Sequence, residues 1–290
     1  MKTIFLTSFV GGYRKTLNGK EVVEINNSNH FIDRLKATKD KWKTFVFVCS
    51  NPDNFEKTDE FANIFSSAFN LAGFDIENVI VLDHRFVGDV EKTILSADVV
   101  FLTGGHTPTQ NKYLKEIQLD KILNKYNGIV IGQSAGSMNL AKMVFSPPDN
   151  VEDFKSNRAT KFSGVGLTDI NIMPHMAISF DDNVDGNGKS TYDCCIEESF
   201  NFPIYGIYDF GFIEIGNGDA MAYGKTLFGI FKLIIFFPYI IYLYSLDAIE
   251  TVEFLRVHDS GPNSRAFLGM SRVWWAPQDR KKQRSRAEML

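Results

Sequence analysis

Cysteine is scarce. Cys49, Cys194 and Cys195 are the three in 290 residues, too few for a disulfide framework, and adjacent cysteines rarely pair. A reducing compartment, the cytoplasm, is the simplest expectation. Surplus positive charge is lacking too. The formal net charge is -4, and no basic patch interleaved with aromatics precedes Lys225, so nothing electrostatic argues for nucleic acid. The apolar run in Met1-Lys2-Thr3-Ile4-Phe5-Leu6 is too short for a signal peptide and reads as a first strand. Metal motifs are also missing. Cys194-Cys195 has no C-x-x-C partner. Asp181-x-Asn183-x-Asp185-Gly186 opens like a calcium loop, but Tyr192 stands where a bidentate glutamate is required. No metal or other cofactor is expected.

What is present describes an ordinary globular chain, 44% hydrophobic and 23% charged, long enough for one large domain or two small ones. Strand-like runs alternate with helical ones. Thr3–Val10, Thr44–Cys49, Asn78–Leu82, Asp98–Leu102 and the run from Ile129 read as strands. Phe31–Lys39, Phe55–Phe74, Val90–Ser96 and Thr109–Tyr126 read as helices, the second with Phe61, Ile64, Phe65, Ala68, Phe69 and Leu71 at helical spacing. Strands with continuous rather than alternating apolar residues, separated by helices, imply a mostly parallel sheet covered on both faces: a three-layer α/β/α fold. In such sheets the working residues collect at the carboxyl ends of the strands.

One such end dominates the chain. Ile129-Val130-Ile131 runs into Gly132-Gln133-Ser134-Ala135-Gly136, and a helical stretch follows. Glycines two positions either side of a serine permit a sharp strand-to-helix turn that lifts the hydroxyl above the sheet edge. Ser134 is then a candidate nucleophile, and the Ala135 N–H a candidate oxyanion donor. Thr103-Gly104-Gly105-His106-Thr107 follows the preceding strand, beside the elbow strand if consecutive strands are neighbours. Gly105 is a second candidate donor, or simply a tight turn needing positive φ. Ile170–His175 and Ile204–Asp209 are further strands, one ending at a histidine and one at a carboxylate.

A serine requires a base to take its proton and a carboxylate to hold that base in the right tautomer. Of five histidines, His30 lies in a polar loop, His84 among charges, and His258 in the atypical tail. His175 and His106 remain, and residue chemistry alone leaves both open, His106 equally as a substrate-binding or helix-capping group.

The combination of Gly132-Gln133-Ser134-Ala135-Gly136-Ser137, Thr103-Gly104-Gly105-His106-Thr107 and Asn171-Ile172-Met173-Pro174-His175 resembles the S51 peptidase family, which includes dipeptidase E and cyanophycinase. The resemblance covers roughly Lys2 to Gly224. It implies a flavodoxin-like, class I glutamine-amidotransferase-like fold and a Ser-His-acid arrangement. On that match Ser134 is the nucleophile and His175 the base. The family's Gly-Gly-Asn-Thr falls on Gly104 to Thr107 with His106 in place of Asn, so that Gly105 shares the oxyanion hole with Ala135. The family's glutamate falls on Asp209, one methylene shorter. Asp149, fifteen residues past Ser134, matches an aspartate of some members and is a secondary candidate. The implied activity is serine-type hydrolysis of small peptides, without a cofactor. The strongly acidic stretch Phe180–Lys189 leaves the preferred residue open. The other class of function is a non-catalytic ligand-binding member of the same fold. A true glutamine amidotransferase is disfavoured, because that chemistry uses cysteine at the elbow.

After Lys225 the character changes, so residues 1–225 read as the α/β domain and 226–290 as an atypical tail. Leu227–Tyr244 is nearly all apolar, close to the ~20 residues that a bilayer requires, but Lys232 and Pro238 interrupt it. The basic run Arg280–Arg286 follows. A membrane contact, packing on the body or a partner, and a segment with no selected role all stay open, with a non-spanning tail preferred. A homodimer is equally open.

Overall fold

The computed structural model describes residues 2–17, 19–148, 153, 161–179, 190–199, 201, 203–227 and 256–258. Contacts divide the chain into Met1–Asp259 and Ser260–Leu290, and every described residue belongs to the first unit. Asp149, the acidic stretch from Phe180 to Lys189 and most of the apolar and basic tail lie outside the described residues.

The order of elements is β1 (Thr3–Thr7), β2 (Gly11–Thr16), β3 (Gly19–Ile25), α1 (Phe31–Thr38), β4 (Thr44–Val48), α2 (Phe55–Leu71), β5 (Asn78–Leu82), α3 (Val90–Leu95) and β6 (Val99–Leu102). Then come α4 (Thr107–Glu116), α5 (Leu119–Lys125), β7 (Ile129–Gln133), α6 (Ala135–Asn139), β8 (Met143–Phe145), β9 (Lys161–Ser163), β10 (Asn171–Met173), β11 (Ile204–Ile207), β12 (Phe212–Gly216), β13 (Asp219–Tyr223), β14 (Thr226–Leu227) and β15 (Arg256–His258). Short helices Met176–Ser179 and Thr191–Ser199 separate β10 from β11. The main sheet runs β15-β13-β12-β1-β7-β6-β4-β5. Its strands from β1 to β5 are parallel, and β12, β13 and β15 add an antiparallel flank.

Register explains the layers. Phe5, Ile131, Phe101 and Phe47 lie in one row across β1, β7, β6 and β4, so all four point to the same face. On that face α2 brings Phe65 to 4.8 Å from Phe101 and Phe69 to 5.8 Å from Phe45, while Phe31 of α1 packs edge-on to Phe5 at 5.7 Å. The intervening residues Val46, Val100, Leu102 and Val130 are as fully buried on the other face, where α6 approaches Leu102. A strand covered on both sides has no polar alternate positions, which is why these runs are continuously apolar.

The structure departs from the sequence reading at several places, among them Leu71 of α2, which is exposed. The single helix expected over Thr109–Tyr126 is two, α4 and α5, because Gln118 between them adopts the left-handed conformation at φ 53°. Val10 lies beyond β1, which stops at Thr7. The strands bearing His175 and Asp209 are not in the main sheet: β10, β11 and β14 form a three-stranded sheet of their own. The hairpin β2–β3 had no apolar pattern to announce it, since Arg14, Lys15 and Thr16 are exposed.

The two elbow glycines serve close approach rather than positive φ. A Cβ on Gly132 would lie 2.6 Å from the Ser137 backbone, and one on Gly136 would lie 2.1 Å from the Leu102 carbonyl oxygen. Both obstacles are backbone and cannot swing aside. Gly136→Ala is therefore expected to cost about 3 kcal/mol or more, measurable as a lowered midpoint in urea unfolding.

Candidate active site

Parallel pairing sets the first half of the site. Thr7 and Gln133 are the last register pair of β1 and β7, so Ser8 and Ser134 leave neighbouring strand ends side by side. Ser134 has φ 51° and ψ −116°, a sparsely populated conformation for a residue with a side chain. The turn is held by the buried Ser137, whose Oγ accepts the Thr7 N–H at 2.8 Å and lies 2.5 Å from the Gly132 carbonyl. The Ser134 N–H donates to the Thr7 carbonyl at 2.9 Å. Strain at the serine is thus held by bonds to two strands.

The second half comes from the small sheet. β10 and β11 are parallel, with Met173 opposite Gly206, and the chain leaves them at the same end through Pro174-His175 and Tyr208-Asp209. His175 has φ 56°. Its Nε2 lies 3.0 Å from Ser134 Oγ, and its Nδ1 lies 2.7 Å from Asp209 Oδ1. One line of hydrogen bonds joins the three side chains. The aspartate spans the gap despite its shorter arm because Phe210 (φ 67°) donates its N–H to the Phe9 carbonyl at 2.9 Å, drawing the turn against the end of β1.

Burial pushes the Asp209 carboxyl pKa up, but hydrogen bonds from His175 and Ser8 and the nearby imidazole outweigh it and hold the group below the ordinary carboxylate value. The folded pKa lies below the unfolded one. The stabilisation is therefore complete above the usual carboxylate range and is lost as pH falls below about 4. A shallower decline of stability with acid in Asp209→Asn than in the parent, followed by thermal melts between pH 6 and pH 3, is the expected result.

On the other side of Ser134 lies the glycine turn after β6. Gly105 has φ 151°, and a Cβ there would lie 2.4 Å from Ser50 Oγ. A Cβ on Gly104 would lie 3.1 Å from the Ser134 Cβ. Gly104 lets the backbone approach the elbow closely, and Gly105 lies as close to Ser50, just beyond β4. Ala135 is the first residue of α6 and is buried, so its N–H has no acceptor within its helix.

A buried amide network fixes this turn to the elbow helix. Gln110 donates to the carbonyls of Cys49 (3.3 Å) and Thr103 (2.8 Å). Asn139 donates to the Thr107 carbonyl (3.1 Å) and to Gln110 Oε1 (3.0 Å), and Asn111 donates to Asn139 Oδ1 (3.0 Å) and the Ser163 carbonyl (3.1 Å). All six amide protons are used, so α4, α6 and the glycine turn are locked together. A small cleft opens beside Gly104, lined by Ser50, Asn51, Asn54, Lys57, Phe61 and Thr103.

The other candidates fall elsewhere. His106 takes the N-cap position of α4, with its Nδ1 2.6 Å from Thr109 Oγ1. His84 lies between Asp53 (2.7 Å) and Glu116 (3.1 Å), and His30 beside Asp33. Cys49, Cys194 and Cys195 are buried and in no disulfide, and burial pushes the Cys49 thiol up to about 12. Among the described residues no group of three His, Cys, Asp or Glu side chains could hold a metal ion, and no helix is long and apolar enough to cross a membrane. Ser8 was not foreseen. In the sequence it falls inside the strand-like run Thr3–Val10, with no motif to mark it.

A search of curated proteins gives no match. Among solved structures, a peptidase from an acI-B1 Actinobacterium superposes with a TM-score of 0.53 at 12% identity, covering 78% of this chain and 88% of that one. A putative peptidase E protein from Listeria monocytogenes EGD-e gives a TM-score of 0.45 at 18% identity, over 79% and 98% of the two chains. The first likeness establishes a shared α/β fold, as the flavodoxin-like architecture expected of the sequence requires. The model of Peptidase family S51 matches residues 18–222, and the chain belongs to that family.

Proposed function

We propose that the protein is a serine peptidase that hydrolyses small peptides through an acyl-enzyme on Ser134. The observation that carries the reading is the continuous relay Ser134 Oγ, His175 Nε2, His175 Nδ1, Asp209 Oδ1, with steps of 3.0 Å and 2.7 Å. Both lie within proton-transfer reach.

In the first step Ser134 Oγ attacks the peptide carbonyl carbon while His175 Nε2 takes the hydroxyl proton. The carbonyl oxygen gains the negative charge and turns towards the N–H groups of Gly105 and Ala135. His175, now imidazolium, keeps its Nδ1–H on Asp209, whose charge stabilises it. The tetrahedral species collapses as Nε2 gives its proton to the leaving amine, and an ester on Ser134 remains. Water then repeats the sequence, with His175 as base, and releases the acid. The cleft beside Gly104 offers the substrate several polar side chains and one cation, Lys57.

Three cysteines are too few for a disulfide framework, which favours a reducing, cytoplasmic location. A dipeptide-library hydrolysis screen tests the whole reading. Turnover of one or more dipeptides by the parent, and none by Ser134→Ala, is the expected outcome. A variant as active as the parent would remove Ser134 from the chemistry.

A further inference from the structure

We infer that Ser8 is a positioning residue that sets both the aspartate and the backbone of the catalytic histidine. This inference rests on the serine-peptidase reading above. Ser8 is fully buried. Its hydroxyl donates to Asp209 Oδ1 at 2.7 Å and accepts the backbone N–H of His175 at 2.8 Å. The hydroxyl has one proton to give and lone pairs to receive, and the two bonds use it in both directions. Three different strand ends (β1, β10 and β11) therefore meet on one oxygen.

Two features make this more than ordinary packing. Asp209 Oδ1 also receives the His175 Nδ1–H, at 2.7 Å. Ser8 thus fixes the very oxygen that orients the imidazole, and its bond to the carboxylate helps to keep that group ionised. The second feature is the histidine backbone. His175 sits at φ 56°, a left-handed conformation that is unfavourable for a residue with a side chain. Its N–H would otherwise have to find another partner to hold that turn. β1 runs beside the elbow strand, so the Ser8 hydroxyl ties the small sheet to the strand next to the nucleophile. The distance from Nε2 to Ser134 Oγ is then set through Ser8.

The test is the rate of fluorophosphonate labelling of full-length Ser8→Ala and Ser8→Cys, with the downfield proton resonance of His175 Nδ1–H recorded in each. Ser8→Ala is expected to label about 10- to 100-fold more slowly than the parent, since a hydrogen bond to a charged group is lost. Ser8→Cys, a weaker donor of nearly the same shape, is expected to fall between. If Ser8→Ala does not fold, as circular dichroism would show, the cysteine variant carries the comparison. The Nδ1–H resonance should move in both variants, because the carboxylate oxygen it bonds has lost or weakened its second donor. Parent-like labelling together with an unmoved resonance would overturn the assignment. A parent that fails to label would remove the peptidase reading, and the resonance would then decide on its own whether Ser8 orders the His175–Asp209 pair.

Discussion

Replacing Ser134 with alanine is expected to lower kcat for peptide hydrolysis on the order of 10⁶-fold, the scale set by nucleophile removal in serine peptidases. The residue's conformation makes this a clean experiment. Alanine tolerates the φ of 51° no worse than serine does, and the bonds that hold the elbow run through Ser137, Thr7 and Gly132 rather than through the Ser134 side chain. Stability should therefore change by less than about 0.5 kcal/mol. Ser134→Gly separates strain from chemistry. Glycine adopts positive φ without steric cost but loses more backbone entropy on folding. Relief of roughly 1–3 kcal/mol of strain should leave this variant inactive and about 1 kcal/mol more stable than the parent. Steady-state kinetics and urea unfolding on the same preparations check both halves.

The second large effect is at Asp209, and here two substitutions should part company. Asp209→Ala removes the acceptor of the His175 Nδ1–H and leaves the ring free to turn and to take the wrong tautomer, so kcat should fall about 10⁴-fold. Asp209→Asn is milder for a reason specific to this site. The bonds from His175 and from Ser8 both end on Oδ1. An amide that places its oxygen there accepts both and preserves the productive tautomer, while the charge that stabilises the imidazolium is gone. The expected loss is about 10²-fold, the worth of a charged over a neutral acceptor in kcat. A pre-steady-state comparison of the two variants distinguishes them. Equal losses would mean that the amide turns its nitrogen towards the ring.

The elements that carry the site were legible because burial on both faces leaves a plain signature. The apolar runs that became β4, β6 and β7 permit little else, and the glycines of the elbow are required by backbone that passes within 3 Å of where a Cβ would stand. Ser134, His175 and Asp209 could each be proposed as the residue ending a strand. What the sequence could not give was assembly. β10 and β11 are short strands with the same apolar character as those of the main sheet, and nothing local says that they pair with each other instead. The left-handed Gln118 that parts α4 from α5 lacks the glycine that usually marks such a break. Ser8 was hidden for a different reason. A lone buried serine after a strand has no motif, and its importance lies in partners 167 and 201 positions away. The amide network of Gln110, Asn111 and Asn139 is of the same kind, since three polar residues on helices look like surface until their acceptors are located.

The proposed chemistry requires that His175 make Ser134 nucleophilic. Its most direct measurement is fluorophosphonate labelling of the full chain, followed by peptide mapping by mass spectrometry. One adduct is expected, on Ser134, whose formation requires His175 and is lost in His175→Ala. An adduct on another residue, or labelling of Ser134 at the same rate without His175, would contradict it.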